Sequence, residues 1–140
     1  MHYLSGILLV AGAIAAPTST NTKHPAKLFG RQAQTSCSTE YVNVNSVEQC
    51  WRQLNIDRAD EWCSAGKELR EICNELAPGD AYRARITIRS VCGNEERSLC
   101  KDVATAVLHI RAQCALLGDT YASGTWPAEG NGCLEVRVQS

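Results

Sequence analysis

The chain is poor in histidine, and none of its eight cysteines forms a Cys-x-x-Cys pair. The histidines are His2, His24 and His109, too few and too scattered for the closely spaced ligand pairs of a zinc site. Basic charge is also short. Lys23, Lys27 and Arg31 precede the first acid, Glu40, and setting those three aside leaves 11 of the 14 basic residues against 15 acids, a formal charge of −4. Such a balance excludes general nucleic-acid binding. After the first 16 residues no apolar run is long enough to span a bilayer, so no stable membrane insertion is expected.

What is present begins with a leader pattern. An apolar run from Ile7 to Ala16 ends in small residues, with Ala13 and Ala15 at the minus-three and minus-one places before Pro17. Residues 1–16 therefore read as a secretory signal peptide, and the mature protein as extracellular. Residues 17–36 lack periodicity and read as a linker or propeptide, with Arg31 as a candidate processing site that would leave Gln32 first. All eight cysteines, at 37, 50, 63, 73, 92, 100, 114 and 133, fall in residues 37–140. An even count in a secreted domain of this size points to four disulfides.

The centre of the domain is the stretch from Ala81 to Cys114. Ala84, Ile86 and Ile88 alternate with Arg83, Arg85, Thr87 and Arg89, the period of a half-buried strand. Cys100, Val103, Val107, Ile110 and Cys114 recur at helical spacing, and Asn94 with Glu95 and Glu96 suits the helix start. The expectation is a strand and a helix packed together, with Cys92, Cys100 and Cys114 as staples. Upstream, Val42 and Val44 alternate as a short strand. Ser46-x-x-Gln49 forms a capping-box pattern, and Val47, Cys50, Trp51 and Leu54 line a helix. The segment from Glu61 to Leu76 fits either a helical stripe interrupted by Gly66 or an alternating strand, with the helix favoured on periodicity alone. Pro78-Gly79 marks a turn. A Gly-rich loop from Gly118 to Gly132 leads to a last strand on which Leu134, Val136 and Val138 face one way. If the ambiguous segment is a strand, the order is β-α-β-β-α-β: an α+β fold, a two-layer sandwich with an antiparallel sheet and two helices on one face.

This cysteine pattern resembles that of the smut-fungus killer toxins and their fungal relatives, a family of small secreted α/β-sandwich proteins. Trp62-Cys63, Gly66 and Cys73 match a Trp-Cys pair followed by a Gly and a strand ending in Cys. Ile86 to Cys92 matches a strand leading to a Cys, and Cys100 and Cys114 match a helix with a Cys near each end. Gly132, Leu134, Val136 and Val138 match the closing strand. The resemblance covers about three quarters of the chain through spacing. It implies a strand over Gly66 to Leu76 and the pairings Cys37–Cys114, Cys50–Cys100, Cys63–Cys92 and Cys73–Cys133. It also implies growth inhibition through a membrane ion channel. Lys67 and Arg70 are offset here by Glu68 and Glu71 where the family is basic, and Ala112 to Gly118 departs from its helix-end motif. The broader expectation is thus a secreted toxin-like or effector protein, a cofactor-free monomer that binds a surface protein or polysaccharide of a target cell.

Two candidate contact surfaces follow from the strands and loops. Arg83, Arg85, Arg89 and Arg137 share the outward strand faces and form either a basic binding strip or an ordinary ladder paired with Glu71 or Glu135. Tyr121 and Trp126, in the Gly-rich loop, form either an exposed contact pair or a cover for the core. They would also serve a carbohydrate- or wall-binding module. Trp51 and Trp62 are expected in the core. His109 projects from the polar side of its helix with no evident partner, so a small secreted hydrolase or ribonuclease is the lesser expectation.

Overall fold

The computed structural model describes residues 33–140. The expected signal peptide, Arg31 and most of the expected linker lie outside the described residues. The linker's last residues belong to the domain, however. Ala33 donates its N–H to the Gly132 carbonyl at 2.7 Å, and strand β1 (Ser36–Cys37) already pairs in the main sheet.

The fold is α+β, with two helices, an antiparallel sheet and four disulfides. Helix α1 (Val44–Arg52) runs on into a π-helical turn, Gln53–Asp57. Strands β2 (Trp62–Ala65), β3 (Arg70–Glu75), β4 (Ala84–Ser90) and β5 (Glu96–Leu99) precede helix α2 (Cys100–Gln113). Four strands follow: β6 (Ala115–Leu116), β7 (Tyr121–Ala122), β8 (Gly124–Ala128) and β9 (Asn131–Gln139). The main sheet runs in the order β1-β8-β9-β4-β3, while β2 pairs with β5 and β6 with β7.

Alternation decides the two faces of this sheet. Register aligns Cys73, Ile86 and Val138 on one line and Ile88 with Val136 on the next. These residues are buried with Val47, Cys50 and Leu54 of the first helical segment and Val103, Val107 and Ile110 of α2 in one apolar core. Burial of this kind yields about 25 cal/mol per Å² of apolar surface, so the paired helices on one face are what hold the sheet. Gly124 sits where β8 passes closest to β1. A Cβ there would collide with the Ser36 carbonyl and crowd the Cys37–Cys114 bridge.

Several local expectations are corrected. Residues 41–43 make only one bridge, between Asn43 and Tyr121, and the helix starts at Val44 rather than Ser46. Ser46 is buried inside α1, and its N–H is taken by the Asp80 carboxylate from the turn before β4, so the cap comes from a distant loop instead of the local box. Of the two readings of the segment from Glu61 to Leu76, the strand implied by the resemblance is found, as two strands broken at residues 66–69. The acids Glu95 and Glu96 do not start α2. Residues 96–99 pair with β2, and the first amides of α2, Cys100 and Lys101, donate to the carbonyls of Glu61 and Ala59. These two backbone acceptors stand where a side-chain cap would, and the helix has no side-chain cap hydrogen bond.

The bridges are Cys37–Cys114, Cys50–Cys73, Cys63–Cys100 and Cys92–Cys133. The first is the pair that the resemblance implied; Cys50–Cys100, Cys63–Cys92 and Cys73–Cys133 are not formed. The inner face of α1 lies over β3, so Cys50 meets Cys73 instead of the other helix. Pairing of β2 with β5 carries Cys63 to the first residue of α2. Cys92 lies two residues past the end of β4 and Cys133 is the third residue of its neighbour β9, where the Val91 N–H reaches the Cys133 carbonyl at 2.9 Å. The bridges close loops of 23 to 77 residues, and each constrains the unfolded chain by about 2–4 kcal/mol.

Candidate functional site

The outward face of the main sheet carries the arginines singled out above, and there they are occupied with one another's counter-ions. Arg85 Nε donates to Glu71 at 2.8 Å; Arg89 Nε donates to Glu135 at 2.8 Å, and Arg137 reaches the same carboxylate oxygen at 3.1 Å. Arg83 donates to Asn74, whose amide in turn donates to Glu71. Glu135 is almost wholly buried under its two arginines. The hydrogen bond from Arg85, with a second from Asn74, holds the Glu71 carboxyl below its ordinary pKa. Thr87, in the middle of this face, keeps a buried hydroxyl with no partner, as does Arg137 Nε. The strip is a cross-strand ladder, the second of the two readings open from sequence.

Tyr121 and Trp126 do not form a pair. Trp126 lies on the line of Val136, half-buried against α2, with His109 stacked on its ring at 5.1 Å and 13°. Beside the stack is a cleft of about 330 Å³ lined in part by Glu129 and Asn131. Tyr121 belongs to a different corner. Its ring centroid is 5.1 Å from that of Tyr41 and 5.8 Å from that of Tyr82, edge-on to both, and Tyr41 and Tyr82 lie 5.9 Å apart. Tyr41 is 49 % and Tyr82 43 % exposed.

Three segments converge to make this corner, and each tyrosine lies within two residues of a backbone pin. Asn43 Oδ1 accepts the Tyr82 N–H at 2.7 Å. The Ala122 N–H donates to the Val42 carbonyl and the Val44 N–H to the Thr120 carbonyl, both at 3.0 Å. Asp80 accepts from Ser46 Oγ at 2.7 Å and from Asn45 at 3.2 Å, and Ser46 Oγ accepts the Ala77 N–H, which locks the turn before Tyr82 onto α1. Edge-on aromatic contacts add about 0.5–1.5 kcal/mol each and fix the ring planes. No hydrogen bond among the described residues engages any of the three phenolic hydroxyls. The corner is a rigid surface with apolar ring faces and free donor-acceptor groups, a combination that suits recognition.

Sequence reasoning found one of the three tyrosines. Tyr41 was readable only as the first residue of the short strand with Val42 and Val44, and Tyr82 only as part of the alternating stretch that begins at Ala81. Trp62, expected in the core, is 56 % exposed at the start of β2, with the Arg97 guanidinium over its ring. Trp51 packs against the core. Among the described residues no group of three His, Cys, Asp or Glu is placed to hold a metal ion, and no helix is long and apolar enough to cross a membrane. Comparison with protein-family models, with curated proteins and with solved structures finds no match.

Proposed function

We propose that the protein is a secreted toxin-like or effector protein that acts by binding a surface component of another cell, with the Tyr41–Tyr82–Tyr121 corner as its contact surface. The observation that carries this reading is the corner itself: two tyrosines nearly half exposed, propped by a third, on segments pinned to one another. Complete pairing of the eight cysteines supports an extracellular setting. Rigid aromatic side chains with unused hydroxyls lose little entropy on binding, which is why such residues concentrate binding energy at interfaces. The ion-channel target implied by the killer-toxin resemblance is not part of the proposal, because three of the four implied bridges differ.

The test is binding of the labelled, fully oxidised protein to intact target cells, scored by cytometry together with growth. Tyr41→Ala with Tyr82→Ala lowers cell binding at least about tenfold. Undiminished binding by that variant overturns the reading. A second reading, a wall-polysaccharide module, is favoured by the free phenolic hydroxyls. Retention on chitin or glucan, lost in the same variant and without effect on cell growth, selects it.

A further inference from the structure

Arg97 is set apart from the other arginines of the domain. Each of the others donates a side-chain hydrogen bond or forms an ion pair: Arg52, Arg58, Arg85, Arg89, Arg111 and Arg137 with carboxylates, Arg70 with Ser64 and Arg83 with Asn74. Among the described residues, Arg97 has neither for its guanidinium. Its only neighbour contact of this kind is the indole of Trp62, 4.7 Å from guanidinium carbon to ring centroid. Glu95 is exposed two positions before Arg97 in the chain, yet no ion pair joins it to Arg97.

The β2–β5 register explains how the pair is presented. Trp62 lies opposite Leu99 and Ser64 opposite Arg97, so these four share the outward face while Cys63, Ala65 and Ser98 are buried on the other. Arg70 reaches the same spot from the start of β3, donating to the Ser64 carbonyl at 2.8 Å and to Ser64 Oγ at 3.2 Å. Arg70 is thus bound at Ser64, Arg97 lies opposite Ser64 in the ladder with its guanidinium over Trp62, and no carboxylate joins either. Because Ser64 Oγ accepts from Arg70, its own proton is free to donate outward. The Arg97 guanidinium lies over the indole, and none of its N–H donors is taken by an acceptor among the described residues. The result is a row of donors beside an exposed aromatic ring.

We propose that Trp62, Ser64, Arg70 and Arg97 form a binding site for an acidic saccharide, a uronate unit whose carboxylate takes the Arg97 and Arg70 donors while its ring lies along Trp62. A carboxylate matches the guanidinium edge bidentately. Ring hydroxyls supply the further acceptors that a row of donors requires, in one rigid ligand; a lone Asp or Glu side chain supplies none. The domain's net negative charge works against indiscriminate adsorption of polyanions, so the site selects by local geometry. This site is separate from the tyrosine corner and does not depend on it.

Titration of the oxidised protein with oligogalacturonate, followed by calorimetry and tryptophan fluorescence, tests the assignment. Binding is expected, weakening as salt is raised, at least about tenfold weaker in Arg97→Ala and markedly weaker in Arg97→Lys, which keeps charge but loses the planar fork. Trp62→Phe identifies the responding indole, and a neutral cello-oligosaccharide is expected not to bind. Tyr41→Ala with Tyr82→Ala retains this binding, so failure here and failure of the tyrosine corner are told apart. No binding at millimolar oligogalacturonate, or binding unchanged in Arg97→Ala, overturns the site. Equal binding of a poly-glutamate peptide overturns the saccharide and gives the ligand as an acidic peptide.

Discussion

The outward face of the main sheet and the tyrosine corner are both exposed, but they treat their functional groups in opposite ways. On the sheet face, Arg85, Arg89 and Arg137 spend their donors on Glu71 and Glu135. At the corner, Tyr41, Tyr82 and Tyr121 touch one another by their rings and keep their hydroxyls free. Charge on a surface is therefore a poor guide to where a molecule binds, since charges of opposite sign on adjacent strands find each other first. Groups left without a partner, held rigidly, are the better guide.

The comparison breaks most sharply at Glu135. Glu135→Ala strands two arginines over a nearly buried position, and we expect a loss of about 2 kcal/mol, less than for a fully buried pair because the arginines are 38 % and 32 % exposed. Urea denaturation measures it; an unchanged midpoint would mean that the ladder is ornamental. At the corner the effect should move from stability to binding. Tyr41→Ala with Tyr82→Ala is expected to lower cell binding at least about tenfold while lowering stability by about 1–3 kcal/mol, the worth of two edge-on contacts. A collapse in stability instead would make the corner structural.

Smaller effects sharpen the contrast. Thr87→Val replaces a buried hydroxyl that has no partner with an isosteric methyl in a strand, and a gain of about 0.5–1 kcal/mol is expected by the same denaturation assay. A loss would reveal a partner for that hydroxyl. Acid titration should give the smallest effect. The folded pKa of Glu71 is depressed, chiefly by the hydrogen bond from Arg85. Its contribution is therefore present above the ordinary glutamate range and is lost as pH falls through the depressed value. Glu71→Gln should flatten that part of the acid limb.

Alternation and helical period made much of the fold legible. Ile86, Ile88, Val136 and Val138 announced strands with one buried face, and Val103, Val107 and Ile110 announced the helix that covers them, because burial of apolar surface imposes those periods. Local signals failed where a distant group satisfied the same need. The capping pattern at Ser46 was unused because Asp80 supplies the cap, and Glu96 was drawn into a strand while the carbonyls of Ala59 and Glu61 serve the helix amides. Trp62 was misplaced because a tryptophan in a short two-stranded sheet has no second layer on its outer face to bury it.

By itself, then, the chain determined the α+β class, the buried faces of its long elements and the need for four bridges. It also determined the pool of arginines and tyrosines from which any surface would be built. Only the tertiary structure decided which cysteines meet, which arginines are neutralised, and that residues 41, 82 and 121 share one corner. The physical reason is range. Periodic burial is written within a few residues of each position, whereas a disulfide, a cross-strand ion pair or an aromatic cluster depends on strand order and register, which emerge when segments up to 80 positions apart pack against one core.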